Sequence, residues 1–204
     1  MDNPINTTTL IARVKAILLT PKDEWAKVAG ETATTQGLLI GYALPLALIG
    51  PVARFIGGQV FGYGAFGFSW HPPLMAGLAT MVVSFVLGLV MIYVLSLIVD
   101  FLAPHFGGEA NRMQALKLAV YGATASWVSG IFGLVPAMTI LGLLGLYSLY
   151  LYFLGATPLM KVPEDKAAGF TAVTIICAIV LAIIVTPITA ALVGLFSFGG
   201  IGPY

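Results

Sequence analysis

The chain has 204 residues, of which 59% are hydrophobic and only 8% charged, and its mean hydropathy is +1.02. Soluble domains carry about 25% charged residues, so this composition excludes a water-dressed globule and reads as an integral membrane protein. Nine Lys and Arg against eight Asp and Glu give a net charge of +1, which leaves no polybasic field for nucleic acid. The single cysteine, Cys177, excludes a disulfide within the chain.

Residues 1–35 lack the apolar core and cleavage site of a signal peptide and read as a cytoplasmic amphipathic arm. Thr9 is placed to cap a short helix in which Leu10, Ile11, Val14, Ile17 and Leu18 share one face, an arc of roughly 120°, with Arg13 and Lys15 flanking it. That is the layout of an interfacial helix whose cations meet anionic headgroups. Thr20-Pro21-Lys22-Asp23 reads as a second helix start, with a cap, a proline at the first position and a carboxylate three residues after the cap. Trp25 then suits the headgroup level. Arg13, Lys15 and Trp25 are therefore the expected membrane-surface anchors. Docking of the arm on the protein's own cytoplasmic face is the compatible alternative.

A hydrocarbon core about 30 Å thick requires roughly 20 apolar residues at a rise of about 1.5 Å. Five stretches qualify, at about 36–57, 74–99, 114–132, 134–155 and 168–196. They form a transmembrane domain over 36–196 with a short outer tail at 197–204. The expected fold is all-α: an integral membrane bundle of five transmembrane helices preceded by a short amphipathic interfacial helix. The third span is the shortest, and a shallow hairpin of spans three and four stays open as the alternative. The fifth exceeds a vertical crossing and should tilt. Barrel strands would alternate polar and apolar residues, which these runs do not.

Charge placement tests the count independently. Arg13, Lys15, Lys22, Lys27, Arg112, Lys117, Lys161 and Lys166 all fall on one side of a five-pass chain, leaving Arg54 as the exception. The excess of Lys and Arg marks the cytoplasmic side, so the N-terminus is expected inside and the C-terminus outside, whereas four passes would break this parity. Arg54 lies near the end of span one, within reach of snorkelling, an interior partner being the alternative.

The outer loop, 58–73, is uncharged and carries Phe61, Tyr63, Phe66, Phe68 and Trp70, which with the similar tail suit the aromatic belt. Gly37/Gly41, Ser84/Gly88 and Ser126/Gly130 each place two small residues one turn apart, which permits close helix approach. Pro45, Pro51 and Pro187 are candidate kinks because each removes a backbone donor. Thr186 and Thr189 are placed to occupy the carbonyls freed near Pro187.

Catalysis within a membrane requires ionisable groups deep in the spans, and the central thirds of all five spans have none. His71 and His105 fall in loops on opposite sides, and neither has a neighbour at metal-ligand spacing. No serine has an intramembrane His or Lys to activate it, and no phosphate-loop pattern occurs. Asp100, Glu109, Arg112 and Lys117 read as a solvated, partly ion-paired inner loop. No catalytic, cofactor-binding or metal residue is expected, and the chain is not read as an enzyme.

The segment from Tyr147 through Ser148-Leu149-Tyr150 to Gly155, Pro158 and Lys161 resembles the bacterial branch of the Yip family, named for Ypt/Rab-interacting proteins. Arg13 to Trp25, Ala119-Val-Tyr121-Gly and Gly133-Leu-Val-Pro136 extend the likeness over most of the chain. The family often has a proline a few residues after the tyrosine matching Tyr121, where this chain reads Ala123-Thr-Ala-Ser126. The resemblance implies five helices with a cytoplasmic N-terminus in a bacterial inner membrane. A Rab-type GTPase partner follows only by analogy with eukaryotic relatives. Tyr147, Tyr150, Gly155, Pro158 and Lys161 form the candidate interfacial or recognition motif, with the tyrosines near the inner interface, Gly155 and Pro158 ending the helix and Lys161 facing headgroups. The expected function is that of a non-enzymatic organiser or adaptor acting through lipid and helix–helix contacts, with membrane lipids, itself or other membrane proteins as partners. The alternative is a passage for lipids or small neutral solutes between kinked spans one and five.

Overall fold

The computed structural model describes residues 7–65 and 68–198. Helices α1 (Thr7–Leu19) and α2 (Pro21–Gly30) form the arm. A long helix α3 (Thr35–Val60) follows, and a two-stranded ribbon of β1 (Tyr63–Ala65) and β2 (Phe68–Trp70) links it to α4 (Leu74–Leu102). Next come α5 (Arg112–Gly122), α6 (Thr124–Ser129) and two 3-10 segments, Gly130–Leu134 and Pro136–Leu146. Helices α7 (Tyr147–Met160) and α8 (Glu164–Phe198) complete the chain. Phe66 and the tail beyond Phe198, both expected in the outer belt, lie outside the described residues.

Four helical stretches are long and apolar enough to cross a membrane: Thr35–Val60, Leu74–Phe106, Pro136–Met160 and Glu164–Gly194. The expected third span over 114–132 is not one regular helix. It breaks between Gly122 and Thr124 and tightens to 3-10 geometry from Gly130. Residues 112–134 nevertheless run alongside α3 in the same direction. Tyr42 and Thr124 share a hydroxyl–hydroxyl bond of 2.9 Å, and the Tyr42 and Tyr121 rings meet edge-on at 4.7 Å. Farther along, a Cβ on Gly130 would stand 2.8 Å from the Gly50 Cα, and one on Gly57 would collide with the Leu134 and Gly133 carbonyls.

The chain then returns antiparallel. Ser148 Oγ accepts from the Ser126 amide at 3.0 Å, and Tyr152 donates to the Ala119 carbonyl at 2.9 Å. The Glu109 amide reaches the Met160 carbonyl at 2.8 Å. On the far side α8 packs along α4 and α7.

The prolines act as their chemistry requires. Pro45 cannot donate to the carbonyl one turn back, and α3 relaxes into a π-turn over Leu39–Ala43 just before it. A second irregularity at Leu48 precedes Pro51. In α8, Thr186 and Thr189 bond the Ala182 and Val185 carbonyls at 2.7 and 2.9 Å, rather than the Ile183 carbonyl that Pro187 leaves without its usual donor.

Burial is polarised. The buried core gathers Trp25, Val28, Val99, Leu118, Leu151, Met160, Val162 and Phe170 at the end carrying α1 and α2. The opposite half is an exposed apolar belt that includes Val82, Val86, Ile140, Leu143, Ile183 and Ile184. There the helices touch through glycine. Within the three small-residue pairs expected from spacing, Gly130 lies at such a contact, whereas Gly88 has open space around it and Gly37 meets its own cap residue, Thr34. Gly57→Leu is expected to destabilise the bundle by about 2–3 kcal/mol, because backbone carbonyls cannot yield as side chains do. Thermal unfolding in detergent checks this, with Gly88→Leu as the near-neutral control.

Candidate functional site

The arm is docked on the bundle. Ile17, Trp25 and Val28 are fully buried, and Leu10, Val14 and Leu18 pack against the same core, while Ile11 and Leu19 point outward. Two local expectations change. Helix α1 begins at Thr7, so Thr9 is inside its first turn. Thr20 does not cap α2 with its side chain but bonds back to the Ala16 carbonyl at 3.2 Å, while Pro21 takes the first helical position as expected.

A charged cluster joins the two arm helices. Arg13 pairs with Glu24 and forks onto both Glu31 oxygens at 2.6 and 2.8 Å, and Lys27 reaches Glu24 at 3.2 Å. Glu24 is only 5% exposed, so these partners stand in for water around its carboxylate. The Arg13 guanidinium also lies 5.8 Å from the centre of the Tyr121 ring, a cation–π distance. Burial works against the Arg13 charge, but the Glu31 hydrogen bond and the surrounding field outweigh it and hold its pKa above the ordinary value.

Helix α5 receives the C-terminal end of α2. Lys117 donates to the Val28 carbonyl at 2.8 Å and to the Glu31 carbonyl at 2.5 Å, and Gln114 donates to the Ala29 carbonyl at 2.9 Å. Those terminal carbonyls have no intrahelical donor and carry the negative end of the helix dipole, which suits a lysine. Lys117 is thus buried within the fold and does not join the expected inner-loop cluster. Of that cluster, Arg112 and Asp100 pair at 3.6 Å.

The three expected surface anchors separate. Trp25 is enclosed between Gly155 and Tyr121, and Arg13 is spent on Glu24 and Glu31, so neither is free for headgroups. Lys15 is exposed. The tyrosine motif also divides by role. Tyr147 donates to the Leu18 carbonyl at 3.1 Å and tilts against Tyr150 at 5.5 Å, which ties the arm to α7. Gly155 is the flat floor beneath Trp25, where a Cβ would come within 3.0 Å of the indole.

Contrary to expectation, neither Gly155 nor Pro158 ends α7. The helix continues through both to Met160 and stops because Lys161 adopts left-handed backbone, φ 56°. A left-handed L-residue costs roughly 1–2 kcal/mol, so Lys161→Gly is expected to stabilise the protein by about 0.5–1 kcal/mol, read as a raised unfolding midpoint.

Spacing missed Gln114 and Lys117, three apart on one face of α5, and Glu24 and Glu31, seven apart on the arm. The signal was present as polar residues at helical spacing inside or beside apolar runs. Helix α4 packs against both kinked helices, α3 and α8. His71 sits by Gly62 at the ribbon end and His105 bonds the Phe101 carbonyl at the other. Among the described residues no group of three or more His, Cys, Asp or Glu is placed to hold a metal ion.

Several long apolar helices, with an exposed apolar belt at one end and a polar, packed head at the other, define a multi-pass integral membrane protein. The Yip1 domain matches residues 15–199, and the chain belongs to that family. Comparison with curated proteins and with solved structures found no match.

Proposed function

We propose that this chain is a non-enzymatic organiser or adaptor of a bacterial inner membrane, working through lipid and helix–helix contacts. In this reading the chain passes five times, with the arm and N-terminus cytoplasmic and the C-terminus outside. The carrying observation is the polar lock that fixes the arm on the bundle end where Arg13, Lys117, Arg112, Lys161 and Lys166 converge. That end offers a rigid polar platform, with Lys15, Lys22, Lys27 and Lys161 exposed to meet headgroups or a partner.

The parallel course of residues 112–134 beside α3 supports the fifth pass. About 20 residues of α4, Leu74–Tyr93, span roughly 30 Å, a hydrocarbon thickness. A GTPase partner remains an analogy with eukaryotic relatives of the family.

Labelling of Tyr63→Cys and Pro163→Cys in a Cys177→Ser background, in intact cells, tests the orientation. Opposite compartments are expected, and a shared compartment would overturn it. A photo-crosslinker at Lys22 is expected to trap lipid or a second membrane protein, and a platform that yields neither is not an adaptor.

A further inference from the structure

Beside the polar lock, on the other face of α7, α4, α7 and α8 border an open-sided cleft of about 190 Å³. Leu95, Leu149, Tyr152, Ala178, Ile179 and Ala182 line it. Its polar edges are already satisfied, since the Tyr152 hydroxyl is given to the Ala119 carbonyl and the Thr174 hydroxyl to the Phe170 carbonyl. The exposed lining is therefore almost wholly apolar, a surface that favours hydrocarbon over water.

The cleft is open on one side. Its mouth is continuous with the lipid-facing belt, because Ile176, Ile179, Val180 and Ile183 stand exposed on α8 beside it and Leu149 and Phe153 on α7. The small side chains of Ala178 and Ala182, one turn apart, create the recess between larger neighbours. Leu149 and Tyr152 lie 8–11 residues from the end of α7 at Met160, a height of about 12–17 Å. A chain entering there has its headgroup toward the basic end. Lys161 and Lys166 stand at that end beside Glu164 and Asp165, a balance that selects no headgroup charge. Recognition is thus of the hydrocarbon.

We propose that this cleft is a lateral binding site for one acyl chain of a bilayer phospholipid. The site deepens the organiser reading above and rests on it, since it gives the lipid contact a fixed address on the protein.

The test uses the full chain in nanodiscs of phosphatidylethanolamine and phosphatidylglycerol doped with a phosphatidylcholine that carries a diazirine along one acyl chain. After irradiation, adducts are expected to concentrate on Leu149 and Ile179, the exposed large side chains of the cleft lining. They should fall several-fold in Ala178→Phe and in the milder Ala182→Leu, while Ile184→Phe, an exposed position outside the cleft, leaves them unchanged. Monodispersity and unfolding midpoint identify any variant that fails to fold, and Ala182→Leu then decides.

Equal labelling of cleft and belt residues, indifferent to the cleft variants, would overturn the proposal. So would protein–protein adducts at the cleft, which mark a second copy as its occupant, or labelling by a diazirine fatty acid but not by the phospholipid. Failure here with compartment labelling intact removes only the lipid site. Failure of compartment labelling removes the organiser's orientation instead.

Discussion

Trp25→Ala is expected to destabilise the protein by about 3–5 kcal/mol, the largest effect of any single truncation in the arm. Its ring is wholly enclosed between α2, α5 and α7, beneath Tyr121 and above Gly155 and Leu118. Its removal leaves a cavity whose walls are three different elements, none free to collapse. The indole nitrogen has no hydrogen-bond partner among the described residues, so Trp25→Phe relinquishes no bond and should cost clearly less, about 1–2 kcal/mol. Chemical unfolding in detergent micelles measures both. An alanine variant as stable as the parent would mean that the arm sits loosely on the membrane rather than on the bundle.

Arg13→Ala is expected to cost about 3 kcal/mol, because it leaves Glu24, which is 5% exposed, with Lys27 alone as an ionic partner among the described residues. Glu24→Ala should cost a similar amount by leaving Arg13 half-satisfied. The double variant should be more stable than the sum of the singles implies, by a coupling of about 1–3 kcal/mol. Raising the salt concentration should change this little, since the pair is largely withdrawn from solvent. Strict additivity would show that the contact contributes no coupling.

The long apolar helices were legible in the sequence because a lipid-facing helix must be apolar on every side, and composition alone reveals that. Their partners were less so. Spacing of four pointed to Gly37/Gly41, Ser84/Gly88 and Ser126/Gly130; Gly130 does sit in the seam, but its partner there is Gly50, and the next close contact falls seven residues on, at Gly57. Two glycines on one face permit contact whatever their interval, and only the partner's backbone decides which pair is used. Charge in an apolar run is ordinarily expelled, so the local sequence around Lys117 reads as a loop cation. The carbonyls ending α2 that retain it belong to a segment 86–89 residues away, a distance no local pattern spans. Trp25 and Arg13 read as headgroup anchors for a related reason, since an amphipathic helix looks the same whether its apolar face meets lipid or protein.

The eleven-residue 3-10 stretch from Pro136 to Leu146 sets the length of the return limb. Such runs rarely exceed three or four residues, and each residue advances about 2.0 Å instead of 1.5 Å. The limb is consequently some 5–6 Å longer than an α-helix of the same sequence, about one helical turn. That surplus keeps the apex at Leu134 level with Gly57. Rewinding the limb to α geometry would draw the apex inward by a turn and break the glycine seam, so backbone pitch and tip position are one coordinate.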